Sequence, residues 1–275
     1  MENVGIYVNS TKDFDCALPG VCAFLEKRKI PYTVEYSEEE QKVKCQSIDT
    51  MIVLGGDGTL LSAARRTAPY DVNIFGINTG RLGFLAACEV HEIETLLTRY
   101  ISGDYYIEKR LLIEARIVEN GQTVFSSLAL NDAFITRQGI ARIMRIDVFI
   151  DDIPANSFNA DGILISTPTG STGYSLSAGG PIITPEVEAI LVAPVCAHSL
   201  NTRSMVIPTT SKVTIRSCYP LDDLFLTLDG QVQTGFSAEA AIEIDVFEHK
   251  AQFIRFDRDY FYPRLKGKLV DWSMP

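Results

Sequence analysis

A single carboxylate set among three glycines is the first feature of the chain whose residue types point to chemistry. Gly55-Gly56-Asp57-Gly58-Thr59 follows the apolar run Met51 to Leu54 and precedes a helical-looking run from Leu60 to Arg66. Glycine lets a ligand come close to the main chain, and the start of a helix offers unpaired N–H groups to an anion. Gly55, Gly56 and Gly58 therefore read as a phosphate cradle. Thr59 is placed to donate to a phosphate oxygen, and Asp57 sits in the mouth. There is no Gly-Lys-Ser/Thr of a Walker loop and no Gly-x-Gly-x-x-Gly. A carboxylate beside phosphates needs a reason, because like charges repel. Two roles fit: holding Mg²⁺ that bridges the phosphates, or accepting a proton from an attacking hydroxyl. Both belong to phosphoryl transfer. The competing reading is a plain structural turn.

Two further stretches supply groups for an acceptor. Asn131-Asp132 interrupts an apolar strand, and an amide beside an acid can grip sugar hydroxyls. The run Asp161 to Pro181 holds Thr167-Pro168-Thr169-Gly170-Ser171-Thr172-Gly173-Tyr174-Ser175-Leu176-Ser177 and is dense in hydroxyls and glycines. Ile163 to Ile165 before it, with Leu176 and Tyr174 inside it, mark an ordered loop rather than a flexible linker. Its hydroxyls and N–H groups can bind phosphates or a base edge, and Tyr174 can stack on a planar ring. Weaker features are His198, read as structural, and Asp229-Gly230-Gln231, a hairpin turn whose Gln231 can reach a ligand. Arg142 and Arg145 either face phosphates or are solvated strand charges.

Composition removes several classes. The 275 residues carry a formal charge of −10, which disfavours nonspecific binding to nucleic acid. There is no apolar run long enough to span a bilayer, and no basic leader with a long apolar stretch. Six scattered cysteines without a Cys-x-x-Cys pair argue against zinc and against a disulfide framework. The expectation is a cytoplasmic protein with reduced thiols, binding neither membrane nor nucleic acid.

The elements that must hold these residues change character along the chain. Up to residue 104, strands and helices alternate, which implies a parallel sheet covered by helices, with both glycine loops at its carboxyl edge. From 105 to 257 the pattern is nearly all strand, with Asn120-Gly121 a type I′ hairpin signal. The expectation there is an all-β sandwich. Residues 258–275 form a tail suited to a short helix that returns to the first domain.

Taken in order, Gly-Gly-Asp-Gly-Thr-Leu-Leu, Asn-Thr-Gly-Arg-Leu-Gly-Phe from Asn78, Leu-Asn-Asp, the Asp161 to Pro181 stretch and Asp-Gly-Gln resemble the bacterial NAD kinases. The resemblance covers nearly the whole chain. The glycine motif alone is shared with diacylglycerol kinases, sphingosine kinases and phosphofructokinases; the Thr-Pro-Thr-Gly-Ser-Thr run is more specific. The resemblance implies a Rossmann-like α/β domain, then a β-sandwich domain, with the C-terminal tail packed on the first. It implies transfer of the γ-phosphate of ATP, or a phosphate of polyphosphate, to the 2′-hydroxyl of the adenosine ribose of NAD, with a divalent cation such as Mg²⁺. It also implies a homodimer or homotetramer. By resemblance Asp57 is the general base and Gly58 lies beside the nucleotide. Phe84 lines the adenosine pocket. Asn131, Asp132, Arg142, Asp161, Thr172, Gly173, Tyr174, Ser175, Leu176, Ser177 and Gln231 bind NAD. The chain departs from the family in three places. Asp132 stands where members often carry Glu, Gly173 where many carry Ala, and Asn159 where some carry a ligand-contacting Arg.

Overall fold

A computed structural model describes residues 3–10, 16–37, 43–80, 83–137, 144–198, 202–217 and 223–273. The chain forms two units, Met1–Lys109 with Lys250–Pro275, and Arg110–His249.

The first unit opens with β1 (Val4–Val8), α1 (Leu18–Lys27), β2 (Tyr32–Tyr36), β3 (Thr50–Leu54) and α2 (Asp57–Thr67). It continues with β4 (Asn73–Asn78), the short β5 (Cys88–Glu89), α3 (Ile93–Ile101) and β6 (Tyr106–Arg110). Pro19 stands in the first turn of α1, where its missing N–H costs nothing. β1 and β3 are buried at every position, which is why both read as unbroken apolar runs. Their core includes Ile6, Ile52, Leu54, Phe75 and Ile77, under Phe24, Leu25 and Leu97 of the helices.

The strand order is β2-β1-β3-β4, and these four run parallel. The chain leaves β1 toward one edge and β3 toward the other. The crevice where such a sheet changes winding direction, beyond its carboxyl ends, is where ligands bind. Here that point lies between Asn9 after β1 and Gly55 after β3, so the topology puts the glycine loop there.

The second unit consists of β7 (Ile113–Glu119), β8 (Gln122–Ala129), β9 (Asp132–Arg137), β10 (Met144–Ile150), β11 (Ile153–Ala160) and β12 (Gly162–Ser166), then α4 (Tyr174–Ser177). The unit closes with β13 (Ala189–Val195), β14 (Met205–Pro208), β15 (Val213–Ser217), β16 (Leu224–Leu228), β17 (Val232–Phe236) and β18 (Ala241–Val246). They make two six-stranded sheets, ordered β11-β10-β15-β18-β7-β8 and β14-β13-β12-β9-β16-β17. Ile117, Ile146, Ile215 and Ile242 of one sheet meet Ile135, Ile163, Val192 and Leu226 of the other in one core. This is the expected sandwich. Asn120 and Gly121 both have positive φ, as the type I′ turn requires.

One strand departs from the expectation. Ala251–Arg255, here β19, does not join the sandwich. It pairs in parallel with β4 and extends the first sheet. Residues 252–256 alternate like any strand, and local periodicity carries no information about which sheet a strand enters. The tail then forms α5 (Phe261–Ser273), and Arg264 from it bonds to carbonyls of the 83–86 segment of the same unit. Among the described residues Cys16, Cys22, Cys45, Cys88 and Cys196 form no disulfide, and no helix is long and apolar enough to cross a membrane.

Candidate functional site

In the first unit the site is built on the β3–α2 junction. Gly56 caps α2 in an extended conformation, and Asp57 is the first helical residue, three positions earlier than the apolar pattern suggests. The Asp57 carboxylate is pinned by the main chain. Oδ2 accepts from the Phe84 N–H at 2.9 Å and Oδ1 from the Leu85 N–H at 3.1 Å. Each oxygen keeps a further lone pair for a ligand. Gly83 makes this contact possible, because a Cβ there would collide with both carboxylate oxygens. Asp57 itself is half-buried and Gly58 exposed.

Thr59 is not available to a phosphate. It is buried at 6% exposure, and its Oγ1 accepts from the Asn9 side-chain amide at 2.9 Å. It also lies directly over Gly55, where a Cβ would overlap the threonine side chain. Gly55 and Thr59 therefore lock the loop to the strand, tying the β1 and β3 ends together. An added Cβ at Gly56 meets nothing, and Gly58 is exposed in the first turn of α2. Composition could not separate these roles, since a threonine at this spacing can turn either way. Arg81, in the second glycine loop, lies outside the described residues. Phe84 is half-buried, its ring 6.0 Å from that of Phe261.

In the second unit the site is built on the start of β9. Asn131 and Asp132 are held there by a residue read from sequence only as a turn former. Asp229 and Gly230 both have positive φ and close the β16–β17 hairpin, with the Gln231 N–H bonded to Leu228 O. The Asp229 carboxylate accepts the N–H groups of Leu130 at 3.1 Å, Asn131 at 2.7 Å and Asp132 at 3.3 Å. Its own N–H returns a bond to Asp132 O at 2.9 Å. Gln231 is exposed at the tip of this hairpin.

Asp132 is the unusual acid. It is 6% exposed, and among the described residues its carboxyl has no hydrogen-bond partner. Burial, then the neighbouring charge of Asp229, pushes its pKa up to about 7. A buried carboxyl with open bonding capacity is suited to a hydroxyl, which can donate to it or accept from it. The shift has a sign for stability. Asp132 titrates near 3.8 when unfolded and near about 7 when folded. Its contribution is therefore fully present below the lower value and is lost as pH rises through the upper one. We expect Asp132→Asn to remove this loss. In urea unfolding between about pH 5 and about pH 8, the wild type should lose on the order of 2 kcal/mol relative to the variant. Parallel pH dependences would contradict the assignment.

The hydroxyl-rich loop is ordered, as expected, but most of its hydroxyls face inward. Thr167 and Ser171 are fully buried. Thr167 donates to Leu130 O at 2.5 Å, and Ser171 donates to Pro168 O at 2.7 Å while receiving the Ile183 N–H. Thr172 donates to Thr169 O at 3.3 Å and is buried. These residues satisfy their own backbone and fasten the loop to the Leu130–Asn131 corner; they are not a row of phosphate donors. Ser175 is also fully buried, so its side chain cannot meet a ligand at the surface. Gly170 lets the loop pass close to Asn131 O. A Cβ at Gly173 would stand 3.7 Å from the Asn131 amide, an ordinary contact, but 3.2 Å from Gly170 O, so the loop backbone would have to give by a few tenths of an ångström.

Tyr174 and Ser177 are exposed, and Gly173 and Leu176 half-buried. The Tyr174 ring meets Phe134 edge-on, 5.2 Å between centroids. Phe134 shares a face of β9 with Asp132, so the tyrosine stands beside the acid. Burial, followed by Cys196, Asp132 and Asp161, raises the Tyr174 hydroxyl pKa. The backbone of Asp161 lies away from the Asn131–Asp132 corner, although its charge, like that of Asp132, reaches the Tyr174 hydroxyl. β12 pairs with β9 so that Ser166 faces Asp132 and Gly162 faces Thr136. Asp161 thus lies at the other end of the strand, roughly 15 Å away, exposed and 3.6 Å from His198 Nε2. Arg142 lies outside the described residues, and Arg145 is exposed on β10. Among the described residues no group of three metal-ligating side chains is present.

The ATP-NAD kinase N-terminal domain family matches residues 7–105 and the ATP-NAD kinase C-terminal domain family residues 130–256. An NAD kinase of Desulforamulus reducens is 38% identical, covering 99% of both chains. An NAD kinase of Clostridium botulinum is 37% identical over 95% of this chain and 94% of that one. The fold is also that of a yeast NADH kinase complexed with NADH, at 23% identity and a TM-score of 0.84 over 100% of this chain and 89% of the other. An NAD kinase from Archaeoglobus fulgidus in complex with ATP matches at 23% identity and a TM-score of 0.78, over 98% and 99%. The chain belongs to the NAD kinase family.

Proposed function

We propose that this NAD kinase transfers the γ-phosphate of ATP to the 2′-hydroxyl of the adenosine ribose of NAD, giving NADP and ADP, with Asp57 as the base. The reading rests on one observation above all: a carboxylate fixed by two peptide N–H groups at the opening of a helix, beside a glycine backbone that has room for phosphates. Asp57 Oδ accepts the proton of the 2′-hydroxyl. The new bond joins that oxygen to the γ-phosphorus, the bond from the γ-phosphorus to the bridging oxygen breaks, and ADP leaves. Gly56, Gly58 and the N-terminus of α2 receive the donor phosphates. Asn131, Asp132, Tyr174 and Gln231 bind the dinucleotide, Asp132 through a sugar hydroxyl and Tyr174 through a ring face.

Mg²⁺ is commonly held by one or two carboxylates plus substrate phosphates, so the lone-pair capacity left on Asp57 fits it without a protein cage. When bound, it neutralises charge on the phosphates. The working form is a cytoplasmic homo-oligomer. The test is acceptor choice. With ATP and Mg²⁺, NAD should support ADP release and diacylglycerol should not; polyphosphate in a parallel reaction decides the donor. ADP release with diacylglycerol and none with NAD would overturn the reading.

A further inference from the structure

The segment Gly83–Ala86 is held from two sides. Its N–H groups at Phe84 and Leu85 donate to Asp57. On the other side, Nη1 of Arg264 donates to the carbonyls of Gly83 and Phe84, each at 3.3 Å, and to that of Ala86 at 2.7 Å. The short bond anchors the guanidinium, and the two longer ones are shared. The carbonyl of one residue and the N–H of the next belong to the same planar peptide group. The Gly83–Phe84 and Phe84–Leu85 peptides therefore each carry Arg264 on their oxygen and Asp57 on their hydrogen. A cation on the oxygen polarises the group and strengthens the bond its N–H donates.

The other charges nearby are committed. Arg255 from β19 donates through Nε to Glu108 at 2.8 Å and through Nη1 to Leu85 O at 2.7 Å. Tyr260 donates to the other oxygen of Glu108 at 2.5 Å. Among the described residues Arg264 hydrogen-bonds carbonyl oxygens and no carboxylate. Burial and then Arg255 lower the pKa of Arg264, whereas Tyr260, Asp57 and Glu108 favour its charge.

We propose that Arg264 is a positioning residue for Asp57, fixing the carboxylate through the two intervening peptide groups. This rests on the reading of Asp57 as the base. It gives the C-terminal helix a task in turnover and not only in folding. Arg264 touches no reacting atom in this account, so its loss should act on kcat through Asp57 and leave substrate affinity alone.

The test is a kinetic cycle on the full chain with NAD, radiolabelled ATP and Mg²⁺. Arg264→Met should lower kcat by about tenfold or more, since small misplacements of a catalytic group cost on that scale, with KM for NAD and ATP within about twofold. Arg264→Lys, which keeps a cation, should recover most of the loss. In the Asp57→Asn background, Arg264→Met should change nothing further, because both act on one group. Equal losses in both backgrounds, a rise in KM in place of a fall in kcat, or a Lys variant as impaired as Met would overturn the inference. Should Arg264→Met not fold, Arg264→Gln enters the same cycle with the same expected outcomes. Near-normal turnover in Asp57→Asn overturns the base assignment and this inference with it. An inactive Asp57→Asn beside an unimpaired Arg264→Met overturns the inference alone.

Discussion

Asp57→Asn is expected to lower NADP formation by about 10²–10⁴-fold, the usual effect of losing a general base, while NAD still binds. The substitution is isosteric, so the contact with Gly83 survives. It is not neutral for the backbone, however. Two N–H groups now point at the carboxylate, from Phe84 and Leu85. An asparagine can accept only one of them and turns its own NH₂ toward the other. A local stability loss of about 1 kcal/mol is expected, too small to unfold the chain. Calorimetric binding of NAD with a near wild-type Kd, beside the lost turnover, assigns the effect to the proton transfer. Raising the Mg²⁺ concentration separates the two chemical roles open to this acid. It should restore a weakened metal site and should not restore a missing base. Near-normal turnover in Asp57→Asn contradicts the assignment outright.

Asp229→Ala is expected to have the largest effect in the second unit. Its carboxylate accepts three N–H groups from the Leu130–Asp132 corner. Truncation leaves the buried donors without partners and costs about 3 kcal/mol or more. Part of this is conformational, since Asp229 has φ +52 and alanine resists that region. Asp229→Asn removes the conformational share, because asparagine tolerates it. It can still satisfy Asn131 and Asp132 while losing Leu130, so its cost should be intermediate. Either variant also takes away the charge that helps hold the Asp132 proton in place. NAD affinity should fall by about tenfold or more in Asp229→Ala, because the corner presenting Asn131 and Asp132 is released. Wild-type urea unfolding and wild-type NAD binding in Asp229→Ala would remove Asp229 from the account.

Much of this could be read from the residues. The alternation of apolar runs and helical spacing up to residue 104 led to a parallel sheet. Asn120-Gly121 led to a hairpin, and the later strands to a sandwich. Gly55 to Gly58 announced a phosphate loop, since few other reasons put three glycines around an acid after a buried strand.

What could not be read depends on direction or on distant main chain. The partners of Asp57 are N–H groups of Phe84 and Leu85, about thirty positions on, and a peptide N–H has no sequence signature. Thr59, Thr167, Ser171 and Ser175 are all hydroxyls that composition counts as ligand groups, yet they turn inward. Composition cannot tell an inward hydroxyl from an outward one. Asp229 was hidden by a sufficient explanation. Asp-Gly already accounts for the turn, so nothing in the sequence called for a second role. Ala251 to Arg255 reads like its neighbours in the sandwich, yet it pairs with β4 of the first sheet. Arg264 lies in a helix whose basic spacing suggested packing and gave no hint that it reaches the loop behind Asp57.

In the proposed reaction the phosphate goes to the 2′-hydroxyl of the adenosine ribose of NAD. The position of that phosphate in the product is its most direct test. Purified protein with NAD, ATP and Mg²⁺ should yield a phosphomonoester visible by phosphorus NMR and coupled to the adenosine 2′ proton. An NADP-specific dehydrogenase should reduce that product. A phosphate on any other oxygen, or ATP consumption that does not depend on NAD, would contradict the account.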